Sequence, residues 1–452
     1  MTRFVDTGAT ASSGLGDYSR GAATFFGSNG STYTWTVPAG VTEVFVNVFG
    51  SGGRGNLQSS SYYHATGGGG GGYAGGVLTV TPGSTYTITN GQGGMLASGT
   101  TVVDGTDTTF KDASNVTLLT GGGGKGGNNV GSGDAKFALG GRGGVGTVNS
   151  AASFKSSYTA NGGRGGDVQK NNTSNTANLV TGGGASGSLS GDGGRGGDIF
   201  RTSGTQSGWY GTGGGGWAQG DGGDILSDTT PNSSSTNGTG GGGFMNSGGG
   251  IFTNSGSDFQ SSGGSSYDGG TSWERSIILE MLTTAYNGTS NYPGAAGIAQ
   301  SPAPASSIRR SWWNYMTGEA LNGQRGMMKW GANGDGVGGW GTSSTSWGDL
   351  GGLMVPGFGG GHGGTAYYNN EGSQEQAWYN IGKGRRVGGG AGAHMYYSGS
   401  MNTAVNNALD EVGDVRASTT ALARAPFGGG GGGGRQAYGF GGGDGFVVIC
   451  YK

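Results

Sequence analysis

The sequence predicts an all-β chain: a glycine-rich β-sandwich or jelly-roll-like domain with packed glycine-rich segments, for which polyproline-II geometry is one candidate, and a small mixed insert. Three observations predict it. Residues 31–92 alternate apolar and polar side chains with period two around Pro/Gly turns, the pattern of half-buried strands. Glycine runs recur along the middle of the chain and end repeatedly in an aspartate and an aliphatic residue. The 452 residues include 116 glycines but also 10 Trp, 19 Tyr and 16 Phe, so there are large groups to bury. Disordered chains are usually rich in charge and poor in aromatics; here only 11% of residues are charged.

Residues 1–30 read as an irregular N-terminal arm. From 31 to 119 the chain reads as the first part of a β-rich domain. "STYTWTVPAGVTEVFVNVFGSGG" places Tyr33, Trp35 and Val37 on one face, turns at Pro38-Ala39-Gly40, and continues with Val44, Val46 and Val48 alternating with Phe45, Asn47 and Phe49. "GGYAGGVLTVTPGSTYTITNGQGG" repeats the design, with Leu78, Val80, Tyr86 and Ile88 flanking Pro82-Gly83. Each Pro/Gly turn predicts a pair of antiparallel strands. At the far end "GFVVICYK" predicts a further strand that buries Cys450 as a small side chain.

Residues 120–270 form a repeat region. "TGGGGKGG" at 120, "TGGGASG" at 181, "TGGGGWAQG" at 212 and "TGGGGFMNSG" at 239 are variants of one unit. Their partners are "GGRGGV" at 140, "GGRGGDV" at 162, "GGRGGDIF" at 193 and "GDGGDIL" at 220. The threonines Thr181, Thr212 and Thr239 stand 31 and then 27 residues apart. Unequal spacing predicts bundled segments joined by variable loops, not a strict solenoid. Ordering so many glycines is costly in entropy. Hydrogen bonds between runs, as in packed polyproline-II segments, and apolar plugs at Ile199, Phe200, Ile225, Leu226, Ile251 and Phe252 are what the sequence offers against that cost. A flexible spacer is the alternative reading.

Residues 271–350 read as an aromatic-rich insert, and 351–452 as a glycine-rich C-terminal part with the closing strand. "TSWERSIILEMLTTAYNG" fits a short helix or a buried strand; "SSIRRSWWNYMTG" fits a helix from Ser307 to Gly318, and "MNTAVNNALDEVGD" at 401–414 a further one. Six of the ten tryptophans lie between Trp273 and Trp347. Trp312, Trp313, Tyr315, Trp330, Trp340 and Trp347 are the candidate receptor-binding residues, because flat rings stack on the C–H faces of sugars. The same rings would equally serve as the core of the insert or an oligomer interface.

The motifs "TWTVPAGVTEVFVNVFGSGG", "GGGGGGYAGGVLTVTPGSTYTITNGQGG" and "GGGDGFVVICYK" resemble the glycine-rich domain of bacteriophage tail-fibre and related virion proteins. The resemblance covers about 31–95 and 427–452, with a far longer middle than a minimal domain needs. It implies a virion appendage protein. By the same analogy it implies a homo-oligomer, with a trimer as the first expectation.

Composition narrows the function classes. Twenty-four basic residues are matched by 26 acidic ones and spread thinly, so no nucleic-acid partner is expected. No apolar run approaches the roughly 18 residues of a spanning helix, so no membrane insertion is expected. The first residues contain no secretory-signal pattern, and assembly in a host cytoplasm is the expectation. With this much glycine, G-x-G-x-x-G arises about eight times by chance and carries no nucleotide reading. Lys125 in "GGGGKGG" is followed by Gly126 where a P-loop has Ser or Thr. "GGRGGDIFR" fits a calcium nonapeptide once, but Asp167, Asp198 and Asp224 are not spaced by nine, and no cofactor or metal is expected. His64, His362 and His394 have no metal-ligand spacing.

The expectation is therefore a non-enzymatic virion appendage, a phage tail-fibre or tip adhesin that binds a host surface glycan or outer-membrane receptor. It would meet other virion proteins through the N-terminal arm and stand on the virion surface. Polar loops such as "KNNTSNTANLV", "SDTTPNSSSTN" and "ASGSLSGD" offer hydrogen bonds to sugars. The alternatives are a structural head fibre or decoration protein, and a glycan depolymerase working with two carboxylates.

Overall fold

The computed structural model describes residues 21–253 except 27–29, 59–63, 95–102, 131–136, 171–177, 190, 202–208, 218, 228–235, 239–241 and 243–250, and also 365–366, 388–390, 394–395, 428–432, 434–435 and 441–451. These residues are all-β: among them every regular element is a strand.

Two five-stranded antiparallel sheets share one core. The first runs Gly21–Phe26, Phe446–Tyr451, Glu43–Phe49, Tyr73–Thr79, Phe154–Ala160; the second runs Gly146–Val148, Thr117–Gly121, Thr108–Lys111, Thr85–Thr89, Thr32–Thr36. The predicted alternation sets the core: Trp35, Val44, Val46, Val48, Leu78, Ile88, Phe110, Leu119, Val447 and Ile449 form one buried cluster drawn from both sheets. The opposite face of Glu43–Phe49 is buried too. Phe49 stacks on Phe446 at 4.3 Å between ring centroids, and on Trp217 of the repeat region at 6.1 Å. Trp217 is fully buried and its indole N–H donates to Ser186 Oγ at 2.9 Å. Cys450 is buried, as its apolar surroundings predicted.

Two expectations about this part need correction. The Pro/Gly turns do not close hairpins. Thr32–Thr36 pairs with Thr85–Thr89, and Glu43–Phe49 pairs with Tyr73–Thr79. Each turn instead carries the chain from one sheet to the other. Val37 and Val41 are buried on either side of Pro38-Ala39-Gly40, so that turn wraps the edge of the core. The two corners lock together, with Val37 N–H donating to Ser84 O and Gly83 N–H to Val37 O, both at 2.9 Å. The stretch read as an irregular N-terminal arm, residues 1–30, also contains a regular element. Gly21–Phe26 is a strand paired along its whole length with Phe446–Tyr451, which covers what would otherwise be an open sheet edge.

The glycine runs form a backbone-packed bundle. The run from Thr66 to Gly72 lies among six neighbouring segments, and its hydrogen bonds repeat every third residue. The N–H groups of Thr66, Gly69 and Gly72 donate to Asn128, Lys125 and Gly122, while those of Gly68 and Gly71 donate to Gly431 and Gly428. Gly70 donates to Gly163. In the other direction, Gly50, Gly53 and Asn56 donate to Gly72, Gly69 and Thr66; Gly141 and Gly144 donate to Gly67 and Gly70; Gly184 and Gly187 donate to Gly68 and Gly71. Three residues per turn, with bonds between segments and none within, is the period of a polyproline-II helix. Close approach is what requires glycine here. A Cβ on Gly70 would sit less than 3.0 Å from the backbone of Ala185.

Beyond the bundle, the repeats stack. Val168–Lys170, Ile199–Arg201, Ile225–Ser227 and Ile251–Thr253 pair in parallel, rung on rung. His64–Ala65, Asn178–Val180, Trp209–Gly211 and Thr236–Gly238 make a second parallel ladder. Val168, Leu179, Ile199, Tyr210 and Ile225 pack together beneath them. Two of the expected apolar plugs, Ile199 and Ile225, are thus buried. Phe200 is only half-buried, and the side chains of Leu226, Ile251 and Phe252 lie outside the described residues. The unequally spaced repeats stack in register. Thr181 to Asp198 spans 17 positions and Thr212 to Asp224 spans 12. The second rung absorbs the difference in shorter arms, four positions on either side of its Gly216–Gly220 bridge where the first has seven on either side of Ser188–Gly191. A four-stranded parallel sheet, Thr365–Ala366, His394–Met395, Gly434–Arg435 and Leu57–Gln58, ties residues of the C-terminal part to the first.

Candidate functional site

The chemistry of the described residues concentrates where the Gly-Gly-Arg-Gly-Gly motifs lie side by side. The aspartate that ends each motif clips its rung to the one before. Asp167 Oδ1 accepts the Gly140 N–H at 2.8 Å; Asp198 Oδ1 accepts the Asp167 N–H and Asp224 Oδ1 the Asp198 N–H, both at 2.7 Å. Threonine hydroxyls make the matching clip at the other run. Thr212 Oγ1 accepts the Gly182 N–H at 3.0 Å and donates to Gly197 O at 2.6 Å; Thr181 does the same between Gly67 and Gly166.

The motif arginines neutralise the aspartates. Arg164 pairs with Asp167 of its own motif at 2.6 Å and reaches Asp198 at 3.4 Å. Arg195 pairs with Asp198 at 2.9 Å, with Asp224 at 2.8 Å, and reaches Asp221 at 3.4 Å. Burial pushes the Asp198 carboxyl up to about 6, against the Asp167 N–H and the two arginines, which favour its ionised form. The hydrogen bond to Asp224 raises the Arg195 guanidinium above its ordinary value.

The carboxylates of "GGRGGDIFR" and of the motif before it have protein partners. The carboxylate oxygens of Asp167 and Asp198 are engaged by main-chain N–H groups and guanidinium, a structural use. Among the described residues no group of three or more metal-ligating side chains is close enough to hold an ion. His64 is buried in a ladder strand.

Beside the network an open groove of about 550 Å³ is lined by Arg142, Arg164, Arg195, Asn161, Asp192, Gln219 and Asp221, with glycine backbone as its floor. Asp192 Oδ1 accepts the Asn161 N–H at 2.7 Å, and Asp221 Oδ1 accepts the Arg195 N–H at 2.9 Å. Gln219 has a φ of 66°, the left-handed region that a residue with a side chain seldom adopts. The rings expected to bind a receptor, Trp312, Trp313, Tyr315, Trp330, Trp340 and Trp347, lie outside the described residues, as do the helices expected around them and at 401–414. The groove was not anticipated. Its one sequence signal is the recurrence of arginine at the centre of Gly-Gly-Arg-Gly-Gly at 142, 164 and 195.

The fold and this face define an all-β protein whose repeats are packed through glycine backbone. Residues 27–265, just over half of the chain, match the model of the glycine-rich domain family. The chain belongs to that family. A search of curated proteins finds no match.

Proposed function

We propose that the chain is a non-enzymatic virion appendage protein, a phage tail-fibre or tip adhesin that binds a host surface glycan or outer-membrane receptor. One observation carries the reading. Successive ladder strands keep register on both sides of each loop: Lys170 stands beside Arg201 and Arg201 beside Ser227, while Asn178 stands beside Trp209 and Trp209 beside Thr236. The connecting segments "NNTSNTA", "TSGTQSG" and "DTTPNSSS" therefore leave and re-enter the scaffold at adjacent positions. They differ in sequence, at seven, seven and eight residues, and are rich in Asn, Ser and Thr. A rigid stack that anchors unlike polar segments side by side suits recognition, because the segments vary without disturbing the scaffold. The protein would stand on the virion surface as a homo-oligomer, joined to other virion proteins through the residues ahead of Gly21.

The test is immunogold electron microscopy of the source particle, together with competition by the purified chain for particle adsorption. Gold at tail tips and blocked adsorption support the adhesin. Gold over the capsid with unaffected adsorption supports a head fibre or decoration protein. No label on any particle overturns the virion reading.

A further inference from the structure

We infer that the groove beside Arg142 binds an acidic saccharide, with Arg142 pairing with its anionic group; this rests on the glycan-binding reading above. The argument begins from a break in the repeat. In the motifs at 162 and 193 the arginine is followed three residues later by an aspartate, and the structure pairs them: Arg164 with Asp167, Arg195 with Asp198. The motif at 140 reads "GGRGGV", so Val145 stands where the aspartate would be. Val145 is 57% exposed, and Arg142 is exposed with no ion pair among the described residues. The same guanidinium that closes the network in two rungs is thus left open to solvent in the third, on the wall of the groove.

The rest of the lining fits a sugar acid better than a denser anion. Asp192 and Asp221 also face the groove and would repel a polymer carrying a charge on every unit. Carboxylates and the amides of Asn161 and Gln219 suit hydroxyl groups, while Arg142 suits a carboxylate or sulfate in a two-pronged contact. Gln219 adds a second, independent sign. Its left-handed backbone sets a long polar side chain at the groove where glycine would be easier, and its N–H is held by Asp192 O at 2.8 Å. Strained residues of this kind concentrate at ligand sites. The volume of about 550 Å³ lies in the range of small-ligand sites.

The test is calorimetric titration of the full chain with three singly charged sugars, 3′-sialyllactose, lactose 3′-sulfate and a glucuronic acid–xylose disaccharide, each beside its esterified or desulfated neutral counterpart. At least one acid is expected to bind, its neutral counterpart about tenfold or more weaker. Arg142→Gln is expected to lose the same factor with an unchanged melting temperature, and Arg142→Lys to recover part of it. Binding that is equal for acid and neutral forms, binding untouched by Arg142→Gln, or no binding to any of the three acids overturns the inference. Adsorption competition separates this from the adhesin reading. A chain that blocks adsorption but binds no acid through Arg142 loses the groove and keeps the adhesin. A chain that binds through Arg142 but does not block adsorption keeps the groove and loses the adhesin.

Discussion

The main-chain N–H of Asp167 donates to the carboxylate of Asp198 at 2.7 Å, joining two positions 31 residues apart in sequence and one rung apart in space. The same bond recurs from Asp198 to Asp224. An aspartate at the end of a glycine run is thus a rung-to-rung clip. Asp198→Ala leaves a buried N–H without its acceptor and should cost about 2 kcal/mol. Asp198→Asn keeps an acceptor oxygen and should cost less than about 1 kcal/mol. Urea unfolding of the two variants beside the parent chain measures both.

The threonine clips make a parallel case. Thr212→Val keeps the shape of the side chain but removes the acceptor for Gly182 N–H and the donor to Gly197 O, both buried contacts. A loss of about 2–4 kcal/mol is expected. Thr212→Ser retains the hydroxyl and should recover most of it. The comparison reads out as the difference in melting temperature between the two variants.

Two glycines separate lack of space from backbone conformation. Gly70 has an ordinary backbone but no room, since a Cβ would press on Ala185 backbone. Gly83 has a φ of 82° and nothing within 4 Å of where a Cβ would stand. Gly83→Ala should therefore cost only about 1 kcal/mol, the ordinary price of a left-handed residue. Gly70→Ala should cost more than about 3 kcal/mol or prevent folding, because backbone on the other side has to move. Soluble yield and unfolding midpoints of the two proteins decide it.

Asp198 gives the chain a specific pH dependence. Its folded-state carboxyl lies up at about 6, above the ordinary value of 3.8, because of burial. The folded state therefore holds this proton more tightly than the unfolded one. The contribution is fully present below about pH 4 and is lost as pH rises through about 6, by up to roughly 3 kcal/mol. Melting temperature, as far as this group sets it, should fall from pH 4.5 to pH 7. Asp198→Asn, which does not titrate, should flatten that part of the profile, and an equal slope in parent and variant would assign the pH dependence elsewhere.

What the sequence made legible follows side-chain chemistry. Val44, Val46 and Val48 announced their strand, and Phe446–Tyr451 its own, because alternating or continuous apolar side chains have few other uses. The Pro/Gly turns announced a reversal but not its partner, since turn chemistry fixes the local bend and not the sheet that receives the chain. The glycine bundle carries its pairing in main-chain groups, which are alike in every residue, so the three-residue period from Thr66 to Gly72 leaves no trace in composition. Asp167, Asp198 and Asp224 were visible as a recurrent feature, but their partners are backbone N–H groups that no motif records. Trp217 looked like one more aromatic in a glycine run. It lies instead against Phe49, brought there by the fold of the whole chain.

The central structural claim is that glycine runs are held by hydrogen bonds between segments. Hydrogen–deuterium exchange of the peptide spanning 66–72, followed by mass spectrometry in native buffer, tests it most directly. Each amide from Thr66 to Gly72 donates to a neighbouring segment, so protection comparable to that of the core strand Glu43–Phe49 is expected. Exchange of that peptide at the rate of an unstructured glycine chain, with Glu43–Phe49 still protected, would contradict the bundle and return the runs to flexible spacers.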